Sequence, residues 1–188
     1  MKITAASAAE TSRQSNRGHA APYKLVVLAS DTTDAVSAAG GLIADTLRVG
    51  WHVEVYLETG KYLETESDAR ALQILGVEGR LLPTSFDFEL QWPDAVVFAA
   101  PIYHRHRGVR RFTADATRRH GADVAAWGGT WPTAAASASD IEHRVSCAAQ
   151  AFKYHAMKAV NATAPPSPVE SFHGGFHRLA VAAPPAPC

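Results

Sequence analysis

Two short runs constrain this chain more than any other feature. KLVVLA (Lys24 to Ala29) and AVVFAA (Ala95 to Ala100) are almost continuously apolar and rich in β-branched residues. A strand wetted on one side alternates polar and apolar side chains. A continuous run needs cover on both faces, as a parallel strand has between two layers of helices.

The segments around these runs read as the rest of such a layer. Val36, Ile43 and Leu47 fall on one helical face with Gly40, and Gly50 ends that helix. HVEVYLE (His52 to Glu58) is a second strand. SDARALQILG (Ser67 to Gly76) is a helix capped by Ser67 or Asp68 and stopped by Gly76, and GRLLP is a weak third strand. Pro101 closes the AVVFAA strand, after which YHRHRGVRRFTADATRRH passes from a loop into an amphipathic helix. DVAAW (Asp123 to Trp127) is the next strand. SDIEHRVSCAAQAFKYHAMKAV opens on Ser139 and Glu142 at capping-box spacing, with Ile141, Val145, Ala148, Phe152 and Ala159 on one stripe, and is expected to be helical throughout. Alternating strand and helix predicts an α/β fold: a Rossmann-like three-layer sandwich with a mainly parallel sheet of about five strands. The organisation expected is a disordered arm over 1–22, one domain over 23–181 and a proline-rich tail over 182–188.

Composition narrows the partners. Eighteen basic residues balance eighteen acidic ones, which argues against a nucleic acid or an anionic membrane recognised by bulk charge. No apolar run approaches the roughly 18–20 residues of a membrane helix. The first twenty residues lack the apolar core of a signal peptide. Cys147 and Cys188 show neither metal nor redox spacing, so no disulfide framework is expected, and a cytoplasmic location follows as the default.

In doubly wound sheets the ligand lies beyond the carboxyl ends of the strands, where the strand order switches. The loop after the first strand carries Asp31 and Asp34, and the loop after the fourth carries His104 and His106. Asp34 beside His106, with Asp31 nearby, would supply carboxylate and imidazole ligands and leave positions open for water. Two carboxylates and one histidine form an oxygen-rich set, so manganese, iron or magnesium is plausible beside zinc. A plainer reading stands next to this one. Asp34 can cap a helix that starts at Ala35, Asp31 can stabilise the turn, and His106 can be a solvated loop residue. The glycine pair Gly40–Gly41 lies inside the helix, where close packing on the sheet explains it. The turn itself lacks the G-x-G-x-x-G of a dinucleotide cradle. HRHRGVRR (His104 to Arg111) is either a solvated basic patch or an anion or sugar-acid clamp built on Arg105 and Arg107.

The order of these motifs resembles one family. KLVVLASDTTDAVSAAGGLIADTLRVGWHVEVYLETG is similar to the opening of the LmbE-like, or PIG-L, zinc-dependent N-acetylglucosaminyl deacetylases: a strand, A-H-P-D-D-E, G-G-L-I-A, then G-H-x-V-x-V with T-x-G. ARALQILGV, LLPTSFDFEL, PDAVVFAAPIYHRHRGV, DIEHRVSCAAQAF and VESFHGGFHRL follow in the family's order, so the resemblance covers most of residues 23 to 181. It implies a divalent metal, zinc in the family, and a small-molecule substrate of the amino-sugar class.

The departures fall on the chemistry. Asp31 stands at the family's first zinc-binding histidine, and Thr33 at its general-base aspartate. Asp34 keeps the second ligand, and Ala35 replaces the following glutamate. His106 keeps the third ligand, and Arg105 replaces an aspartate that organises the histidines. A threonine hydroxyl has no accessible basic form at neutral pH, so His104 or Asp87 would have to move protons. The resemblance thus implies an N-acyl hydrolase with an altered metal and base site. The alternative is a catalytically inactive protein that keeps the pocket for a sugar-like ligand or a partner.

Overall fold

The structure, a computed structural model, describes residues 22–58, 65–88, 91–129 and 139–175. The expected N-terminal arm, apart from its last residue, and the proline-rich tail lie outside these residues. In chain order the elements are β1 (Lys24–Ala29), α1 (Thr32–Arg48), β2 (His52–Leu57), α2 (Glu66–Leu75), β3 (Gly79–Leu81), β4 (Ala95–Ala99), α3 (Ala100–Arg105), α4 (Arg107–His120), β5 (Asp123–Trp127), β6 (Ser139–Arg144), α5 (Cys147–Ala159) and β7 (Val169–Gly175).

They form one seven-stranded sheet in the order β3-β2-β1-β4-β5-β7-β6. The strands from β3 to β5 are parallel, with Val26 opposite Val96 at the centre, and β7 and β6 add an antiparallel edge. KLVVLA and AVVFAA are therefore parallel neighbours, and every residue of β1 and β4 is buried. The chain winds from β1 outward through β2 to β3, then returns to the centre and winds the other way from β4 to β5. Right-handed connections place the intervening helices on opposite faces. On the α4 face, Phe112 stacks on Phe86 at 4.2 Å between ring centres, with Phe88 and Trp92 around them.

The sheet has seven strands where about five were expected, because SDIEHR is strand β6 rather than the first turns of a helix. The Ser139–Glu142 capping box does not form. Ser146 caps the helix instead, accepting from the amide of Ala149, and α5 starts at Cys147. The reason is tertiary. Along its whole length β6 pairs with β7, and these backbone bonds outweigh a local helical pattern. Similarly, α2 is capped by Thr65 rather than by Ser67 or Asp68. Cys147 is disulfide-bonded, against the expectation of no disulfide framework. Disulfides persist in oxidising compartments, so cysteine usage no longer argues for the cytoplasm. Among the described residues, no helix is long and apolar enough to cross a membrane.

Two polar clusters fasten the antiparallel edge to α1. Glu170 on β7 accepts from the amides of Gly41 and Leu42 at 2.7 and 2.8 Å and from Lys153 Nζ at 2.6 Å, all buried. A Cβ on Gly41 would sit 2.5 Å from Val145 Cγ2 and 3.0 Å from Glu170 Oε1. The glycine pair therefore allows close packing, but Gly41 does so against Glu170 and Val145. Asp45 accepts from the backbone amide and hydroxyl of Ser146 and from His143 Nε2 at 3.1 Å. Burial alone would raise the Asp45 carboxyl, yet the hydrogen bonds from His143 and Ser146 prevail and hold it below its ordinary value.

A carboxylate whose folded pKa is depressed stabilises the fold above its unfolded pKa, and this contribution is lost as pH falls through the folded pKa. The thermal midpoint should therefore be insensitive to Asp45 between pH 7 and 5 and fall below about pH 4. Asp45→Asn should start from a lower midpoint and show a shallower fall in the same acid range. Calorimetry from pH 7 to 3 checks this, and parallel curves for the two proteins would refute it.

Candidate functional site

The carboxyl ends of four strands lie side by side, since Ala29 pairs with Leu57, Leu28 with Phe98, and Ala99 with Trp127. Each end delivers a functional side chain. After β1 come Asp31 and Asp34; after β2 comes Glu58; after β4, the short helix α3 delivers Arg105 and the extended residue behind it is His106; β5 ends on Trp127. Proline at the start of α3 fits its missing amide donor, and Gly108 lets the first turn of α4 meet the Thr84 carbonyl, which a Cβ would approach to 2.6 Å. The backbone breaks between α3 and α4 at His106 alone, which holds this histidine at the edge.

Asp31 is extended and caps α1. Its Oδ1 accepts from the amide of Asp34 at 2.8 Å, and its carbonyl accepts from the amide of Ala35 at 3.1 Å. The cap thus lies three residues before the expected one at Asp34, and α1 starts at Thr32. Asp34 turns back in the manner of a capping box, with Oδ2 accepting from the Ser30 amide at 3.0 Å. Its Oδ1 accepts from Trp127 Nε1 at 2.8 Å. Thr33 is exposed in the first turn of α1.

Glu58 organises the other half. Arg105 Nε donates to its Oε1 at 2.8 Å, the guanidinium NH2 donates to Oε2, and His106 Nε2 lies 2.6 Å from Oε1. The Arg105 bonds lead in holding the Glu58 carboxyl below its ordinary value, against a smaller opposing effect of burial, and His106 assists. Glu58 in turn raises Arg105, to which the nearby Asp34 charge also contributes. Asp34, Glu58, Arg105 and His106 therefore share one electrostatic neighbourhood. An ionised carboxylate only accepts hydrogen bonds, so His106 donates to Glu58 through Nε2.

The remaining expected residues lie differently. His104 and Arg107 are exposed on α3 and at the start of α4, and the His104 carbonyl accepts from Arg110. Asp87 lines a cavity of about 450 Å³ with Lys24, Glu54, Tyr56 and Arg80. Lys24 is the first residue of β1, and a strand of that length spans about 16 Å, so Asp87 is not at the Asp31–Asp34 turn. Glu58 and Trp127 were missed as site residues. A signal existed for each: an acid directly after a strand's carboxyl end at Glu58, and an indole N–H at a strand's carboxyl end at Trp127.

The donor set does not fit the metal that the resemblance implies. Both oxygens of Asp34 hold protein donors, and Asp31 Oδ1 serves its own helix. The Arg105 guanidinium already pairs with Glu58. Among the described residues, no three His, Cys, Asp or Glu side chains are grouped to hold a metal ion. Asp31, Asp34 and His106 share an edge without forming a ligand set.

No protein-family model and no curated protein matches this chain. Solved structures do. A triple mutant of a deacetylase from the teicoplanin biosynthetic pathway is 16% identical with TM-score 0.57, over 81% of this chain and 97% of that one. The A40926 pseudoaglycone deacetylase is 15% identical with TM-score 0.53, over 82% and 97%. The 4-carboxy-2-hydroxymuconate hydratase from Pseudomonas putida KT2440 is 15% identical with TM-score 0.54, over 83% and 97%. At such identities the likeness is one of fold, and it agrees with the order of motifs along the chain. This chain has the fold of the LmbE/PIG-L-type deacetylases.

Proposed function

We propose that this chain cleaves the N-acyl group of an amino sugar or a related small amide, at the edge formed by β1, β2, β4 and β5. The observation that carries the proposal is the Glu58–His106 pair, 2.6 Å apart, beside the Arg105 guanidinium. His106 Nδ1 accepts a proton from water as the water oxygen attacks the amide carbonyl. Glu58 fixes the imidazole orientation and stabilises the imidazolium that forms. Arg105 uses two of its groups on Glu58 and keeps further N–H donors for the charge that develops on the carbonyl oxygen. As the C–N bond breaks, the proton passes from His106 to the leaving nitrogen, giving a carboxylic acid, which keeps the second proton of the water, and an amine. The similarity in fold to a deacetylase of the teicoplanin biosynthetic pathway and to the A40926 pseudoaglycone deacetylase, the order of motifs and the position of the cluster at the strand ends support an amino-sugar amide as substrate.

Incubating the purified chain with N-acetylglucosamine, its glycosides and N-acylated glycopeptide aglycones tests this. Mass spectrometry should find amine and carboxylic acid in equal amounts. His106→Ala should lower kcat/KM by about 10²-fold or more, and Glu58→Gln should do so mainly through kcat. Absence of product from every N-acylated sugar would refute the hydrolase reading. Saturable binding without turnover, unchanged in His106→Ala, would assign the edge to binding alone.

A further inference from the structure

We infer that Arg105, rather than a metal ion, is the permanent cation of this site. The inference deepens the proposed function and rests on the same edge. The cluster holds two carboxylates, Asp34 and Glu58, whose charge a divalent ion could in principle balance. Arg105 already offsets one of these charges, that of Glu58, though a single positive charge remains weaker than a divalent one. It grips Glu58 through Nε at 2.8 Å and through NH2, and it feels the charge of Asp34. A guanidinium matches a carboxylate in two-point geometry and stays charged at every working pH.

The local backbone brings the two groups to the same edge. Arg105 is the last residue of α3 and is bonded directly to His106, and both side chains meet Glu58. The oxygens a metal would need are committed as well: those of Asp34 to Ser30 and Trp127, and Oε1 of Glu58 to both Arg105 and His106. A second, divalent charge would have to displace the guanidinium and strip three neutral or cationic donors at once. The consequence is a site that works in chelator. It trades an electrophile that can ionise water for one that only stabilises charge.

The test reads metal content and does not depend on turnover. Wild-type protein purified without chelator, then titrated with zinc, manganese and iron(II) in a calorimeter, should hold well under one equivalent, and its thermal midpoint should not respond to EDTA. Arg105→Asp removes the cation and adds a carboxylate. It should approach one equivalent of zinc, with a midpoint that EDTA lowers, and this uptake should vanish when Asp34→Asn is added. Arg105→Gln, which removes charge without adding a ligand, should bind more weakly than Arg105→Asp but at least about 10-fold more tightly than wild type. One tightly bound metal in wild type, lost in Asp34→Asn, would overturn the inference. Equal, negligible uptake by wild type and by folded Arg105→Asp and Arg105→Gln chains would do so too. The two ideas separate cleanly. A metal-free wild type without turnover removes the hydrolase reading and leaves the cation assignment, whereas turnover that requires added metal does the reverse.

Discussion

Glu170→Ala is expected to cost about 3–5 kcal/mol of stability, the usual penalty for leaving one member of a buried ion pair unpaired. Lys153 and Glu170 are each about 1% exposed, so water cannot replace the lost partner. The same carboxylate receives the amides of Gly41 and Leu42. Its removal therefore strands a buried ammonium and deprives two backbone amides of an acceptor. Domains of this size hold roughly 5–15 kcal/mol in total, so the variant should sit near its unfolding transition at 37 °C. Lys153→Met should cost less, because Glu170 keeps its two amide donors. Glu170→Gln should fall between the two. Urea unfolding followed by far-ultraviolet circular dichroism gives all three values. A Glu170→Ala midpoint equal to wild type, or a larger loss for Lys153→Met, would contradict the account.

Gly174→Ala should be nearly as damaging, by about 3 kcal/mol or more. Gly174 lies in β7 with φ +150, a conformation that side chains avoid. A Cβ there would sit 2.7 Å from Ala125 Cα and closer still to the Val124 carbonyl oxygen. Both obstacles are backbone of β5, so no rotamer change relieves them. Because β7 joins β5 to β6, the displacement would loosen the whole antiparallel edge and with it Glu170. For a chain of this length the thermal midpoint should fall by about 6–12 °C, at roughly 2–4 °C per kcal/mol. A fall of less than about 2 °C would show that β7 adapts.

If Glu170 ties β7 to α1, the order of motifs along the sequence acquires a physical meaning. The glycine pair and the distant VESF segment answer each other across the fold, because only a residue without Cβ lets that carboxylate and Val145 approach the helix. Neither segment alone reveals the other as its partner.

What the sequence determined by itself is the parallel half of the protein. Buried parallel strands must be apolar on both faces, and this leaves an unmistakable trace in KLVVLA, AVVFAA and DVAAW. Once these strands alternate with helices, the chemistry of the first and fourth loops must share one edge. The antiparallel half was not legible. SDIEHR has a helical spacing, and its strand state comes from the backbone bonds of a partner some thirty residues later, with Arg144 opposite Val169 and Ser139 opposite Gly174. The site divides in the same way. Residue types placed Asp34, Arg105 and His106 at the edge, because loop position follows from strand order. Only the tertiary structure decided what each side chain does there. Hydrogen-bond partners such as Trp127 for Asp34, and Glu58 for both Arg105 and His106, lie 93, 47 and 48 residues away. Which donor saturates a carboxylate is settled by distances of a few tenths of an ångström, and local sequence does not encode such distances.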